Sequence, residues 1–100
     1  MIMIQKPRFQ VGQLMSTRAA VEELQRAGQS VHEFLARHIQ GDWGTVCAED
    51  AAANEASIRD GSRILSAYLL KTGVKIWLIS EAADDQNRRA ATTCLLPEEY

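Results

Sequence analysis

The sequence predicts an α+β fold in which an antiparallel sheet of three to four strands, one of them N-terminal, carries two to three helices on one face. Apolar residues recur at helical spacing from Thr17 to Asp60, and they alternate with a period of two from Arg63 onward. The chain has 100 residues, of which 46% are hydrophobic and 24% charged. We therefore expect a single domain over residues 1–100 with its own core.

Residues 1–7 are expected to be a loose lead-in that ends at a proline, and residues 8–15 are expected to form the N-terminal strand. Gly12 weakens this strand or marks a bulge in it. We expect the strand to join one edge of the sheet. One of its faces carries Phe9, Val11, Gln13 and Met15.

Two short helices are predicted to form an αα-hairpin after this strand. The first begins after the capping pair Ser16-Thr17 and ends at Gly28, which can adopt a left-handed conformation. The second begins at a capping box formed by Ser30 and Glu33 and ends at Gly41. Both helices are amphipathic, so we expect them to cover the sheet.

A third helix is predicted over Ala48–Asp60, closed by Gly61. Glu49 and Asp50 lie in its first turn, where they favour the positive end of the helix dipole. Its apolar face is thin, so we expect the helix to lie on the surface. That face consists of Ala51, Ala52, Ala56 and Ile58.

The C-terminal part of the chain is predicted to be an antiparallel meander of three strands. Arg63–Leu70 and Val74–Glu81 alternate with a period of two and are joined by the hairpin loop Lys71-Thr72-Gly73. A polar loop, Ala82–Ala91, leads to the last strand, Thr92–Leu96, which a proline stops.

This meander carries more apolar side chains than one covered face can hold. Leu65, Leu69, Trp77 and Ile79 are expected on the face away from the helices. A large exposed apolar patch usually marks a partner surface, and a homodimer would also explain it. Trp77 fits either a core position or a binding anchor.

Charge and cysteine content exclude several classes of site. The net charge is −2, which makes a nucleic-acid partner unlikely, and no apolar run is long enough to span a membrane. Cys47 and Cys94 are far apart in the sequence with no Cys/His cluster, so no metal or cofactor is expected. Cys47 precedes a helix, where a thiolate is favoured, but we interpret both as small buried hydrophobic residues in a cytoplasmic protein.

His38 is the first candidate for a general base, with Asp42 or Glu33 as its orienting partner. A small hydrolase or transferase is therefore an alternative function. The structural interpretation is that His38 packs at a helix end, where a partly positive imidazole suits the dipole. No phosphate-binding, nucleophile-elbow or zinc-protease motif is present, and we predict that the protein is not an enzyme.

The loop after the second strand of the meander is a candidate recognition element, although a solvated connection is its simpler interpretation. It holds Asp84, Asp85, Arg88 and Arg89, and Lys75 lies on the preceding strand. The cations Lys75, Arg88 and Arg89 carry a further alternative, a nucleic-acid-binding module.

The order of several segments resembles a family of small, uncharacterised bacterial proteins carried by plasmids and other mobile elements. The resemblance starts at about Phe9 and includes Gly41-Asp42-Trp43-Gly44, Glu49-Asp50, Asn54-Glu55, Gly61 to Tyr68, Lys75 to Ala82 and Thr92 to Tyr100. Members are often called plasmid-related proteins. Compared with the family, the segment between Ala82 and Thr92 is longer, which marks it for a protein-specific role.

The resemblance implies a function but no catalytic residues, because the family has no established activity. It implies a non-enzymatic accessory protein of a mobile genetic element that acts by protein–protein binding. The sharper hypothesis is an inhibitor of a host defence complex, an anti-CRISPR or anti-restriction factor. The expected partner surface combines the second sheet face with the charged loop: Leu65, Leu69, Lys75, Trp77, Asp84, Asp85, Arg88 and Arg89.

Overall fold

The computed structural model describes residues 6–100, so the predicted lead-in over 1–7 lies outside the described residues except for Lys6 and Pro7. Four strands, three helices and a short 3₁₀ turn follow. In chain order they are β1 (Gln13–Ser16), α1 (Arg18–Ala27), α2 (Val31–Ile39), α3 (Ala48–Asp60), β2 (Ile64–Leu69), β3 (Lys75–Ser80), β4 (Ala91–Leu95) and the 3₁₀ turn (Pro97–Glu99).

The α+β class is confirmed, and the four strands form one sheet in the order β1-β4-β3-β2. The predicted meander is present, because β2 pairs antiparallel with β3 and β3 pairs antiparallel with β4. The N-terminal strand β1 joins the edge next to β4, as expected, and it pairs there in the parallel direction. The sheet is therefore mixed, with its one parallel pair at an edge.

The N-terminal strand is shorter than the predicted span of residues 8–15. Gly12 adopts a φ of 63°, and a Cβ built there would lie 2.3 Å from the Arg89 carbonyl oxygen, so the backbone turns before β1 begins. Phe9 consequently packs with Trp43 on the helix side, whereas Met15 lies on the other face. The predicted common face of Phe9 and Met15 is wrong for this reason.

Both helices of the αα-hairpin form where the sequence predicted them. Thr17 caps α1 by accepting a hydrogen bond from the Ala20 amide at 3.2 Å, and Gly28 ends it with a φ of 66°. At the start of α2, the Ser30 hydroxyl accepts from the His32 amide at 3.2 Å. The predicted capping box does not close, because the Glu33 carboxylate accepts a hydrogen bond from the Gln29 side chain instead.

The third helix has the predicted bounds, but polar residues form much of its contact surface. Asn54 and Ser57 are buried, whereas the predicted apolar residue Ala52 is exposed. Ala51 and Ile58 are half-buried and pack against the cluster around Trp43. This helix is therefore attached to the sheet by hydrogen bonds as well as by apolar contact.

All three helices and the main core lie on one face of the sheet. That face holds the buried β2 residues Ile64, Ser66 and Tyr68, as their alternation predicted. The Tyr68 hydroxyl donates to the Asp42 carbonyl oxygen at 2.7 Å, and burial raises the pKa of Tyr68 to about 12. The larger core cluster consists of Ala20, Leu24, Phe34, Tyr68, Leu70, Ile76, Leu78 and Cys94.

The outer edge of β2 is capped by other parts of the chain. The Asn54 side chain donates to the Leu65 carbonyl oxygen at 2.7 Å and accepts from the Leu65 amide at 3.1 Å. The Ala67 amide donates to the Trp43 carbonyl oxygen at 3.1 Å, and the Thr45 amide donates to the Ala67 carbonyl oxygen at 2.7 Å. Because these groups are satisfied, this edge offers little to an added strand.

Replacement of Asn54 by alanine should lower the free energy of unfolding by about 1–3 kcal/mol, because both Leu65 backbone groups lose their partner. Urea denaturation measures this change. Ala52→Ser, at an exposed position of the same helix, is the control and should stay within about 0.5 kcal/mol of the parent. Equal stability of Asn54→Ala and the parent would show that the cap contributes nothing.

Candidate functional site

The sheet face opposite the helices is the most distinctive surface of the described chain. Pairing aligns Met15, Thr93, Ile79 and Leu65 in one row across all four strands. Side chains alternate along a strand, so this row faces away from the helices. We define the open face by Met15, Leu65, Leu69, Trp77 and Tyr100.

The open face exposes large apolar side chains that α1, α2 and α3 leave uncovered. Leu69 is 56% exposed, Met15 49% and Tyr100 64%. Leu65 and Trp77 are half-buried, whereas the predicted member Ile79 is buried. The structure therefore brings together four of the predicted binding residues, Leu65, Leu69, Lys75 and Trp77, and adds Met15 and Tyr100 to them.

Tyr100 partly covers Trp77 and explains why this indole is neither core nor fully exposed. The two ring centroids lie 5.7 Å apart at an angle of 65°, and the Arg63 guanidinium lies 5.1 Å from the Tyr100 centroid. The Glu99 carboxylate holds the preceding turn by accepting from the Leu96 amide at 2.9 Å and from the Thr17 hydroxyl at 2.7 Å. These bonds lower the pKa of Glu99.

Two opposite charges mark the ends of the central strand on the open face. Lys75 begins β3 and Glu81 follows its last residue, and both are exposed. Their even separation places them on the same side of the strand as Trp77. Neither side chain takes part in an ion pair with another described residue.

The loop between β3 and β4 is an ordered turn. One oxygen of Asp84 accepts from the backbone amides of Gln86 and Arg88, both at 2.9 Å, and these bonds lower the pKa of Asp84. Asn87 takes the left-handed conformation with a φ of 61°. Asp85 and Arg88 remain exposed at this turn, beyond the end of the open face.

Arg89 does not belong to an accessible charged surface, which corrects the expectation from sequence. It is buried, and its guanidinium donates to the carbonyl oxygens of Ser62 at 2.7 Å, Glu81 at 2.8 Å and Ser57 at 3.0 Å. Burial lowers the pKa of Arg89. Its role is to connect the end of α3 to the sheet.

The three cations of the nucleic-acid hypothesis do not form one patch. Lys75 begins β3, whereas Arg88 lies in the turn that follows the opposite end of this strand. Arg89 is buried against backbone carbonyl groups. A continuous basic surface, which phosphate binding needs, is therefore not built from these residues.

His38 lies at the centre of a buried chain of polar side chains. Its Nδ1 contacts the Ser66 hydroxyl at 2.5 Å, and its Nε2 contacts the Ser80 hydroxyl at 2.9 Å. The chain continues from Ser80 to the Thr92 hydroxyl at 2.6 Å, which donates to the Val11 carbonyl oxygen at 2.8 Å. All four side chains are fully buried.

The predicted pairing of His38 with a carboxylate is wrong. Asp42 accepts from the Arg37 guanidinium at 2.7 Å, and Glu33 accepts from Gln29. Burial first, and the charge of Arg89 second, lower the pKa of His38 from 6.5 to about 4. His38 packs at the end of α2, as predicted, but as a neutral core residue, so the predicted partly positive charge of its imidazole is wrong.

Sequence reasoning missed this polar chain, although a signal for it was present. Ser66, Ser80 and Thr92 occupy inward positions of strands whose other inward residues are apolar. Buried hydroxyl groups need hydrogen-bond partners, so their alignment indicates a shared one. The alternation alone did not show that the shared hydrogen-bond partner would be His38, which lies on a helix.

The two cysteines differ in environment. Cys94 is buried, as expected, and burial raises the pKa of its thiol to about 11. Cys47 is exposed at the residue that precedes α3, so its expected burial is wrong. Both are free thiols.

No group of three or more His, Cys, Asp or Glu side chains in residues 6–100 could hold a metal ion, and none of the helices in this range could cross a membrane. A groove of about 640 Å³ lies beside Phe9 and Ile39. Arg8 at this groove is already paired with Glu55 at 2.6 Å.

Comparison of the chain with known protein families, with curated proteins and with solved structures found no match.

The burial of His38 should make stability depend on pH. A histidine whose folded pKa lies below its unfolded value binds fewer protons when folded, so the free energy of unfolding falls as the pH drops from 6.5 toward 4. Denaturation should show a loss of about 2 kcal/mol from this group between pH 8 and pH 5. His38→Gln should flatten this part of the profile, whereas His32→Gln, at an exposed histidine, should retain it. An unchanged profile in His38→Gln would contradict the assignment.

Proposed function

We propose that the protein acts by binding another protein chain through the open face, without catalysis. The observation that carries the proposal is the exposure of Leu69, Met15 and Tyr100 on one sheet face, with no helix of the described chain over them. Apolar side chains that remain in contact with water stabilise a complex when a partner covers them. Trp77 and Tyr100 supply the aromatic contacts that are common at the centre of interfaces.

The chemistry of the reactive side chains supports binding rather than catalysis. His38 has both ring nitrogens engaged by buried serines, and its depressed pKa keeps it neutral at physiological pH. A general base must reach the proton that it abstracts, and this ring has no exposed surface. The Cys94 thiol is buried and its pKa is raised, which disfavours the nucleophilic thiolate.

A photo-reactive phenylalanine analogue in place of Leu69 tests the proposed surface in living cells. Irradiation should cross-link this variant to a partner chain, because position 69 lies in the proposed contact. The same analogue in place of Gln25, exposed on α1, is the matched control and should give no cross-link. Gel mobility and mass spectrometry identify the product, and the absence of any cross-link from position 69 would contradict binding through this face.

A narrower proposal is that the chain is a cytoplasmic accessory protein of a mobile genetic element that inhibits a host defence complex. Its support is the resemblance to plasmid-borne proteins described above. Proteins that inhibit large complexes by occupying a surface need no active site of their own.

This narrower proposal predicts a change in plasmid establishment. Expression of the chain in a host with an active CRISPR or restriction system should raise the transformation efficiency of a targeted plasmid. An untargeted plasmid of the same size serves as the control and should transform equally well with or without the chain. Unchanged transformation of targeted plasmids across these defence systems would contradict the inhibitor proposal while leaving the binding surface intact.

A further inference from the structure

We propose that the partner covering the open face is a second copy of this chain, in a twofold dimer that stacks the two sheets with their β3 strands antiparallel. This inference rests on the proposed function, because it names the occupant of the same face. The carrying observation is that exposed charges of opposite sign lie at the two ends of β3 on this face. Lys75 and Glu81 lie at opposite ends of β3 on this face, and neither has an ionic partner among the described residues.

The position of the symmetry axis follows from this charge pair. Lys75 and Glu81 are six residues apart, or about 20 Å along an extended strand. The twofold axis would lie between the two sheets, parallel to them and at right angles to β3, and would pass over Leu78. It brings Lys75 of each copy to Glu81 of the other. A closed dimer contains every contact twice, so one pair of residues supplies two ion pairs.

The same axis brings apolar side chains together between the two ionic contacts. Trp77 and Ile79 flank Leu78 on the open face. Ile79 is buried within the single chain and Tyr100 lies on Trp77, so the Trp77–Tyr100 pairs of the two copies would meet near the axis. Sheets that pack face to face lie about 10 Å apart with interdigitated side chains. Met15 and Leu69, which are about half exposed in the single chain, would lose most of their contact with water.

Stacking of faces is favoured over pairing of edges. The β2 edge is capped by Asn54, Trp43 and Thr45, which occupy the outward backbone groups of Leu65 and Ala67. The opposite edge, β1, has four residues, and short edge strands resist the addition of further strands. The face therefore offers the larger self-complementary surface.

The size of the face indicates a reversible dimer. Six-residue strands are about 20 Å long, and four strands span about 15 Å from the first to the last. Such a sheet covers about 300 Å², which is well below the roughly 800 Å² that each partner buries in a standard interface. We therefore expect dissociation in the micromolar range rather than an obligate dimer.

Sedimentation equilibrium of charge-reversal variants tests this arrangement. Lys75→Glu and Glu81→Lys should each weaken dimerisation about tenfold or more, because like charges then face each other across the axis. The double variant Lys75→Glu/Glu81→Lys should recover dimerisation close to that of the parent, since opposite charges meet again. Lys71→Glu makes the same charge change in the hairpin loop, where its amide bonds to Gln29 of the helix side, and should leave dimerisation unchanged.

Three results would overturn the proposal, and each can be separated from failure of the proposed function. A monomer at all concentrations up to about 1 mM excludes this dimer. If both single variants still dimerise as the parent does, the dimer uses another surface. If the double variant dimerises as weakly as either single variant, Lys75 and Glu81 do not pair across the axis. If the chain is monomeric but position 69 cross-links to a different protein, binding through the open face stands and only the second copy is wrong. If position 69 cross-links to nothing, both proposals fail.

Discussion

The architecture depends on the buried hydrogen-bond chain that joins α2 to the middle of the sheet. His38 contacts Ser66 on β2 and Ser80 on β3, and Ser80 contacts Thr92 on β4. His38 thus links α2 directly to two strands, and Ser80 extends the chain of hydrogen bonds to a third. A buried polar group without a partner is costly, so the helices cannot leave this face without exposing or stranding the hydroxyl groups.

Polar side chains also determine how α3 and the loops attach to the sheet. Asn54 replaces a neighbouring strand at the β2 edge, and Arg89 connects the end of α3 to the turns that flank the sheet. These contacts are directional, so they set the position of a helix whose own apolar surface is small. They also occupy residues that otherwise resemble candidates for binding.

The distinction between Arg88 and Arg89 shows the limit of composition as a guide to function. The two residues are adjacent, yet Arg88 is exposed and Arg89 is buried against three carbonyl oxygens. Likewise, His38 has the residue type of a general base but the environment of a core residue. At both positions the exposed fraction of the side chain decides its role. This fraction depends on elements that lie far away in the sequence.

Local patterns determined most of the elements of this protein. The caps at Thr17 and Gly28, the bounds of α3 and the alternation in the meander follow from backbone preferences and from side-chain direction, which act over a few residues. The apolar residues Leu65, Leu69 and Trp77 could be assigned to the second face for the same reason. Only the tertiary structure decided the parallel pairing of β1, the partners of His38, the burial of Arg89 and the place of Tyr100 on Trp77. Each of these joins residues distant in the chain, and no local periodicity encodes such a contact.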